Sequence, residues 1–163
     1  MRMPIDTHPP SVLFVCTGNI CRSPTAHALL LHKAAARGMH VHADSAAISD
    51  EELGNPPDRR ALAELRRRGV SMPPHRARKV KPDDFLRFDL LLGMTSTHVR
   101  ALRQLLPRHA DKADLLMRYA DGHEAIDVPD PWYGGTQDFI AAFDMIDAGV
   151  EGLLAHWAAM RAG

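Results

Sequence analysis

The residues of this chain whose types and spacing point most directly to chemistry are a thiol at Cys16, a guanidinium at Arg22 and a hydroxyl at Ser23, with Gly18 and Asn19 between them. They follow the uninterrupted apolar run Val12-Leu13-Phe14-Val15 and precede Pro24-Thr25, so the segment reads as a strand running into a tight loop that opens a helix. Gly18 permits positive φ and Asn19 is one of the few other residues that tolerates it. Successive N–H groups of Thr17, Gly18, Asn19, Ile20 and Cys21 can therefore turn inward as a nest for a tetrahedral dianion, reinforced by the helix N-terminus. Arg22 adds a planar fork that can hold two oxygens at once. The same field favours the thiolate of Cys16 over the thiol. Ser23 is placed to donate to the sulfur, which would help it leave when a phosphocysteine breaks down. Alone, Cys16 would read as a buried strand-end thiol and Arg22 as a surface residue; the combination favours nucleophilic attack on phosphorus. No Gly-Lys-Ser/Thr follows, which excludes a Walker loop, and no second cysteine pair exists to make a zinc knuckle.

A loop of this kind works from the carboxyl end of a parallel strand, and the rest of the chain supplies such a sheet. Short apolar runs alternate with helical spacing, the pattern of an α/β protein with a mainly parallel sheet. Val12–Val15 is the first strand, residues 40–45 a weaker second, Leu90–Leu92 a third and Leu115–Met117 a fourth. The first helix carries Ala26, Leu29, Leu30 and Ala34 on one face and ends at Gly38. A second is capped by Asp58, faces Ala61, Leu62 and Leu65 inward, and closes at Gly69 behind Arg66-Arg67-Arg68, which reads as a solvated helix end. Ser96 or Thr97 caps a third, with Val99, Leu102, Leu105 and Leu106 inward and Pro107 as its stop. The last helix has the clearest period, through Phe139, Phe143, Ile146, Val150, Leu153 and Trp157.

The 163 residues suit one domain over 11–163, behind a proline-rich leader at 1–10 that reads as flexible. Twenty basic residues balance twenty acidic ones, which gives no reason to expect bulk nucleic-acid binding. No apolar run has the length of a membrane span, and two cysteines are too few for a disulfide scaffold, so a reducing, cytoplasmic setting is expected. The ten histidines show no ligand spacing, and neither a metal nor another cofactor is expected.

Transfer of a phosphoryl group from an ester to sulfur also needs a proton for the leaving oxygen, and a carboxylic acid on a loop could supply it. Asp130, in Val128-Pro129-Asp130-Pro131-Trp132-Tyr133-Gly134-Gly135, is the candidate, with Asp127 as its neighbour and competitor. Trp132 and Tyr133 offer flat faces to wall a slot for an aromatic ring. By itself the stretch would read as a proline-rich surface turn.

The run Cys16-Thr17-Gly18-Asn19-Ile20-Cys21-Arg22-Ser23-Pro24 resembles the signature of the low-molecular-weight protein tyrosine phosphatases of bacterial type, and the resemblance extends from about Val12 to the last helix. It implies a single three-layer α/β domain with a four-stranded parallel sheet in the order 2-1-3-4 and helices on both faces. It implies hydrolysis of phosphotyrosine through a phosphocysteine, with Cys16 as nucleophile, Arg22 and the loop amides binding phosphate, and Asp130 as general acid and then base. Asp130-Pro131-Trp132-Tyr133 matches the family's Asp-Pro-aromatic segment. An Asn–Ser–His network of the family would fall on Asn19, Ser45 and His75. Cys16 and Cys21 match a pair that can form a reversible disulfide under peroxide. The implied partners are phosphotyrosine proteins, a bacterial tyrosine kinase among them.

Two departures stand out. Thr95 follows Met94 where the family often has an acid to pair with the histidine. Asp50, Glu51 and Glu52 stand where many relatives place an aromatic, which makes one wall acidic and unfavourable to acidic flanks on a substrate. Phosphoarginine phosphatases share the resemblance but tend to carry Thr where Ile20 stands. Thioredoxin-linked arsenate reductase needs further cysteines, and none follows Cys21. A non-catalytic phospho-ligand or redox module would not need both Cys16 and Asp130.

Overall fold

The computed structural model describes residues 8–122 and 126–162. Strands β1 (Ser11–Cys16), β2 (His42–Ala47), β3 (Leu90–Gly93) and β4 (Ala113–Leu115) form one parallel sheet in the order β2-β1-β3-β4. β1 lies inside the sheet and is buried along its whole length, as its unbroken apolar run requires. Its side chains alternate between two cores. Val12 and Phe14 join Leu29, Leu30, Phe143 and Val150, carried by α1 (Arg22–Ala36) and α5 (Thr136–Ala162), with Ala61 and Leu65 of α2 (Arg59–Arg67). Leu13 and Val15 join Phe85, Phe88, Val99 and Leu102, from α3 (Asp84–Arg87), the residue after it, and α4 (Ser96–Leu105). The result is the expected three-layer sandwich, with all strands delivering their carboxyl ends to one side. Of the leader expected over 1–10, residues 1–7 lie outside the described residues; the Pro10 carbonyl accepts from the His42 N–H at 2.9 Å.

α5 buries all six residues of its predicted period. It also lies so close to the 3-10 helix Leu116–Tyr119 that a Cβ at Gly152 would stand 1.8 Å from the Tyr119 carbonyl oxygen. Only a glycine permits that approach of helix to backbone.

Several boundaries differ from expectation. β2 begins and ends two residues later than 40–45, and β4 ends where the fourth strand was expected to start. Leu116 and Met117 are core residues held by the 3-10 helix; a short apolar run does not say which kind of backbone buries it. Asp58 does cap α2, accepting from Arg60 N at 2.7 Å and Ala61 N at 3.3 Å. Leu62, however, is half-buried, and Glu64 is buried in its stead. Glu64 accepts from Arg67 Nη2 at 2.6 Å and from Arg68 Nε at 2.5 Å, so its charge is matched where it is desolvated. Arg68 is therefore not a solvated helix end: it also reaches Asp144 at 2.8 Å and stacks 5.7 Å from the Phe143 ring. The cap of α4 is Thr95, not Ser96 or Thr97. Leu105 at its end is exposed and Leu106 half-buried, because Pro107 starts a 3-10 helix there in place of another inward turn.

Candidate active site

Between the end of β1 and the start of α1 the chain makes one tight loop, and Asn19 is its pivot. Its φ is 62°, the one positive value at a non-glycine among the described residues, and its side chain is fully buried. That strained conformation is held from every direction. Asn19 Nδ2 donates to Ser45 Oγ at 2.8 Å and to Ser23 Oγ at 2.9 Å, and its Oδ1 accepts from Arg78 N at 3.0 Å. His75 Nε2 lies 2.7 Å from the Asn19 carbonyl; an oxygen of that kind only accepts, so the ring proton is on Nε2. Ser45 is in register with Phe14 on the neighbouring strand, which is how β2 delivers its hydroxyl to the loop. Arg78 is anchored in turn by the fully buried Asp84, at 3.0 Å to each oxygen.

This frame points at Cys16. The buried sulfur lies 2.9 Å from Ser23 Oγ. Ser23 already accepts from Asn19, and toward a thiolate it is the partner with a proton to give. Cys21 differs: burial first, then the negative neighbours Cys16 and Asp58, pushes its thiol far above the usual range, so it stays protonated. Of the two cysteines, both free, only Cys16 ends a strand against a hydroxyl donor.

Arg22 opens α1 with a side chain only 5% exposed. Its Nη1 donates to the Val128 carbonyl at 2.9 Å, and Nη2 lies 3.6 Å from Asp130 Oδ2. Val128 N is bonded to Met94 O at 2.8 Å, which pins this strap to the end of β3. The two aspartates of the strap thereby separate. Asp127 accepts from Ser96 N at 2.8 Å and braces the first turn of α4. Asp130, its side chain 49% exposed, faces the cleft, with Oδ1 accepting from Trp132 N at 3.0 Å. The cleft is lined by Cys16, Thr17, Gly18, Ile20, Cys21 and Arg22 of the loop, by Glu51 and Glu52, and by Asp130, Trp132 and Tyr133. Arg60 steadies Trp132 by donating to its carbonyl at 3.0 Å and stacking 5.1 Å from its ring centroid, whereas Tyr133 is 96% exposed.

Residues 11–162 match the family described as Low molecular weight phosphotyrosine protein phosphatase. The chain belongs to that family. The family is one of hydrolases, and its members include the low molecular weight protein-tyrosine-phosphatase YfkJ of Bacillus subtilis, 38% identical over 148 residues, 89% of this chain and 94% of that protein. The crystal structure of YfkJ superposes with a TM-score of 0.89 at 36% identity, covering 95% of this chain and 98% of that one. The YwlE arginine phosphatase of Geobacillus stearothermophilus is similar as well, with a TM-score of 0.83 at 29% identity, covering 94% of this chain and 96% of that one.

Within this phosphatase, the sequence reading overlooked Arg78 and His98. Arg78 acts through its backbone, which carries no sequence signal. His98 does leave one: it sits three residues after Thr95, the spacing of a capping box. Thr95 Oγ1 accepts from His98 N at 3.3 Å and His98 Nδ1 accepts from Thr95 N at 3.1 Å. Thr95, which follows Met94 where the family often has an acid to pair with the histidine, is thus used to cap α4.

His98 is only 2% exposed, and burial, with Arg22 adding to it and Asp127 opposing, lowers its pKa to about 4. An unfolded histidine takes up its proton near 6.5, so between those two values the unfolded chain binds more protons than the folded one. The neutral ring's contribution to stability is therefore complete above about pH 6.5 and is lost as pH falls towards 4, to a total of about 3 kcal/mol. Urea unfolding of the protein and of His98→Gln across this range checks it: the advantage of the parent over the variant should shrink steadily with acid. A constant gap would show that this ring is not what titrates.

Proposed function

We propose that this protein hydrolyses phosphotyrosine in proteins through a phosphocysteine. Cys16 attacks phosphorus as the bond to the phenolic oxygen breaks, and Asp130 gives that oxygen its proton. A water then attacks the phosphocysteine, Asp130 takes the water's proton, and the thiolate leaves toward the Ser23 hydroxyl with inorganic phosphate as product. Arg22 and the amides of residues 17–23 hold the equatorial oxygens, where the charge of the transition state resides. The observation that carries this reading is the linked set Ser45–Asn19–Ser23–Cys16, which fixes a sulfur at the base of a cleft that Arg22 and Asp130 share. His75 supports the same loop through the Asn19 carbonyl.

Trp132 and Tyr133 in the cleft lining suit a flat, long phosphoester, and Glu51 and Glu52 in the same lining disfavour acidic residues beside it. Tyrosine-phosphorylated proteins, a bacterial tyrosine kinase among them, are the substrates this reading implies. Two free thiols fit work in a reducing, cytoplasmic setting. No helix of the described residues is long and apolar enough to cross a membrane.

Phosphoarginine is the rival substrate, because an arginine phosphatase is among the structural relatives. Ile20 is part of the cleft lining and brings there an apolar branched chain, without a hydroxyl to orient a guanidinium. Matched peptides bearing phosphotyrosine or phosphoarginine decide between them. The tyrosine peptide should be preferred in kcat/KM, and preference for phosphoarginine would overturn the assignment.

A further inference from the structure

We propose that His98 is a positioning residue of the phosphate-binding loop: it donates from Nε2 to the Thr17 hydroxyl, which leaves that hydroxyl's own hydrogen to face the bound anion. The inference rests on the reading of the Cys16–Ser23 loop as a phosphate site.

The direction of each hydrogen bond follows from the one before it. The Thr95 N–H can only donate, so His98 Nδ1, 3.1 Å away, is the acceptor and carries no proton. The ring proton is then on Nε2, which lies 2.9 Å from Thr17 Oγ1 and so donates to it. Thr17 has one hydroxyl hydrogen. No acceptor for it appears among the described residues, and Thr17 is part of the cleft lining beside Cys16 and Arg22. A hydroxyl whose lone pair is occupied by a ring N–H presents its hydrogen away from that ring, here toward the cleft.

The rest of Thr17 is already fixed. Its carbonyl accepts from Ser49 N at 3.2 Å and from Ser49 Oγ at 2.8 Å, on the side of β2. His98 holds it from the side of β3 and α4, so the first loop residue after the sulfur is clamped between two elements. Room for the ring's backbone comes from Gly93, where a Cβ would stand 2.9 Å from that of His98. The capping box is thus more than a helix stop: it sets the tautomer and rotamer of the side chain that reaches the loop.

Substitutions can separate the two bonds of the ring. His98→Asn keeps an acceptor near the place of Nδ1, and with it the cap, but is too short to reach Thr17. His98→Gln extends an amide donor toward the place of Nε2. Thr17→Val removes the hydroxyl while keeping the branched shape. Affinity for inorganic phosphate is measured for the folded proteins, alongside turnover of p-nitrophenyl phosphate. His98→Asn and Thr17→Val should each weaken phosphate binding by about ten- to a hundredfold, the worth of one hydrogen bond to a charged group. Their combination should be no worse than either alone, and His98→Gln should recover most of the loss. Unchanged phosphate affinity in Thr17→Val, additive losses in the double variant, or a fall in thermal midpoint alone would overturn the proposal. If the parent protein binds phosphate but turns over no ester, the phosphatase assignment fails while these affinities still decide the role of His98. A parent that binds no phosphate overturns both.

Discussion

Cys16→Ser should abolish turnover of phosphomonoesters while leaving a folded protein that still binds phosphate. The change exchanges one atom at a buried strand end, so packing in the core against Phe14 and α1 is scarcely altered. What changes is the chemistry. A serine hydroxyl holds its proton far more tightly than a thiol, and among the described residues the side-chain partner at this position is Ser23, itself a hydroxyl that already accepts from Asn19. Loss of the covalent route should reduce kcat by at least roughly four orders of magnitude. Phosphate affinity should survive, because Arg22, the loop amides and the frame that holds Asn19 at φ 62° are untouched. Steady-state release of p-nitrophenol, with phosphate binding measured on the same preparation, tests both halves. Retention of even a few per cent of the parent rate would mean that sulfur is not the nucleophile.

The outcome turns on a loop built from contiguous residues, which is why its course from strand to helix could be read before the fold was known. The identities of Cys16, Gly18, Asn19, Arg22 and Ser23 define a strand-to-helix turn, and β1 and α1 sit where that turn demands. The unbroken apolar run Val12–Val15 also marked a strand covered on both faces, and in the fold Val12 and Phe14 serve one core while Leu13 and Val15 serve the other. Less legible were features that depend on backbone atoms or on distant partners. β4 is three residues long, and its neighbours Leu116 and Met117 are equally apolar, so hydropathy could not locate the strand within the run. Arg78 braces Asn19 with a main-chain N–H, and any residue has one. Asp130 was set apart from Asp127 in sequence only by the proline and aromatics that follow it; what separates them in the fold is that Ser96 N captures the first while the second is left beside Arg22. Glu64 and Arg68 illustrate the same limit in the fold: a charge is buried when its partners surround it, and those partners include Asp144, on a different helix.

Asp130→Ala should slow the reaction in a manner that depends on the leaving group. Departure of a tyrosine phenolate is unfavourable without a proton, so for phosphotyrosine the loss should be about a hundred- to a thousandfold. A far more acidic phenol leaves as the anion, and its phosphate ester should be affected much less. The carboxyl is well placed for that duty. Its oxygen stands 3.6 Å from the guanidinium that would hold the phosphoryl group, on the cleft side of the strap, and Oδ1 is oriented by the Trp132 N–H. Pro129 and Pro131 restrict the backbone on either side, so removing the side chain should leave the strap where Val128 anchors it to Arg22 and Met94. A series of aryl phosphates spanning leaving-group acidity gives the measurement: the variant's log kcat/KM should rise steeply with phenol acidity, where the parent's is nearly level. Asp127→Ala is the control for a structural effect, since it removes the brace on Ser96 and should lower stability without steepening that dependence. Parallel lines for the parent and Asp130→Ala would remove Asp130 from the proton transfer, and a steepened line for Asp127→Ala would move the role to the neighbouring carboxylate.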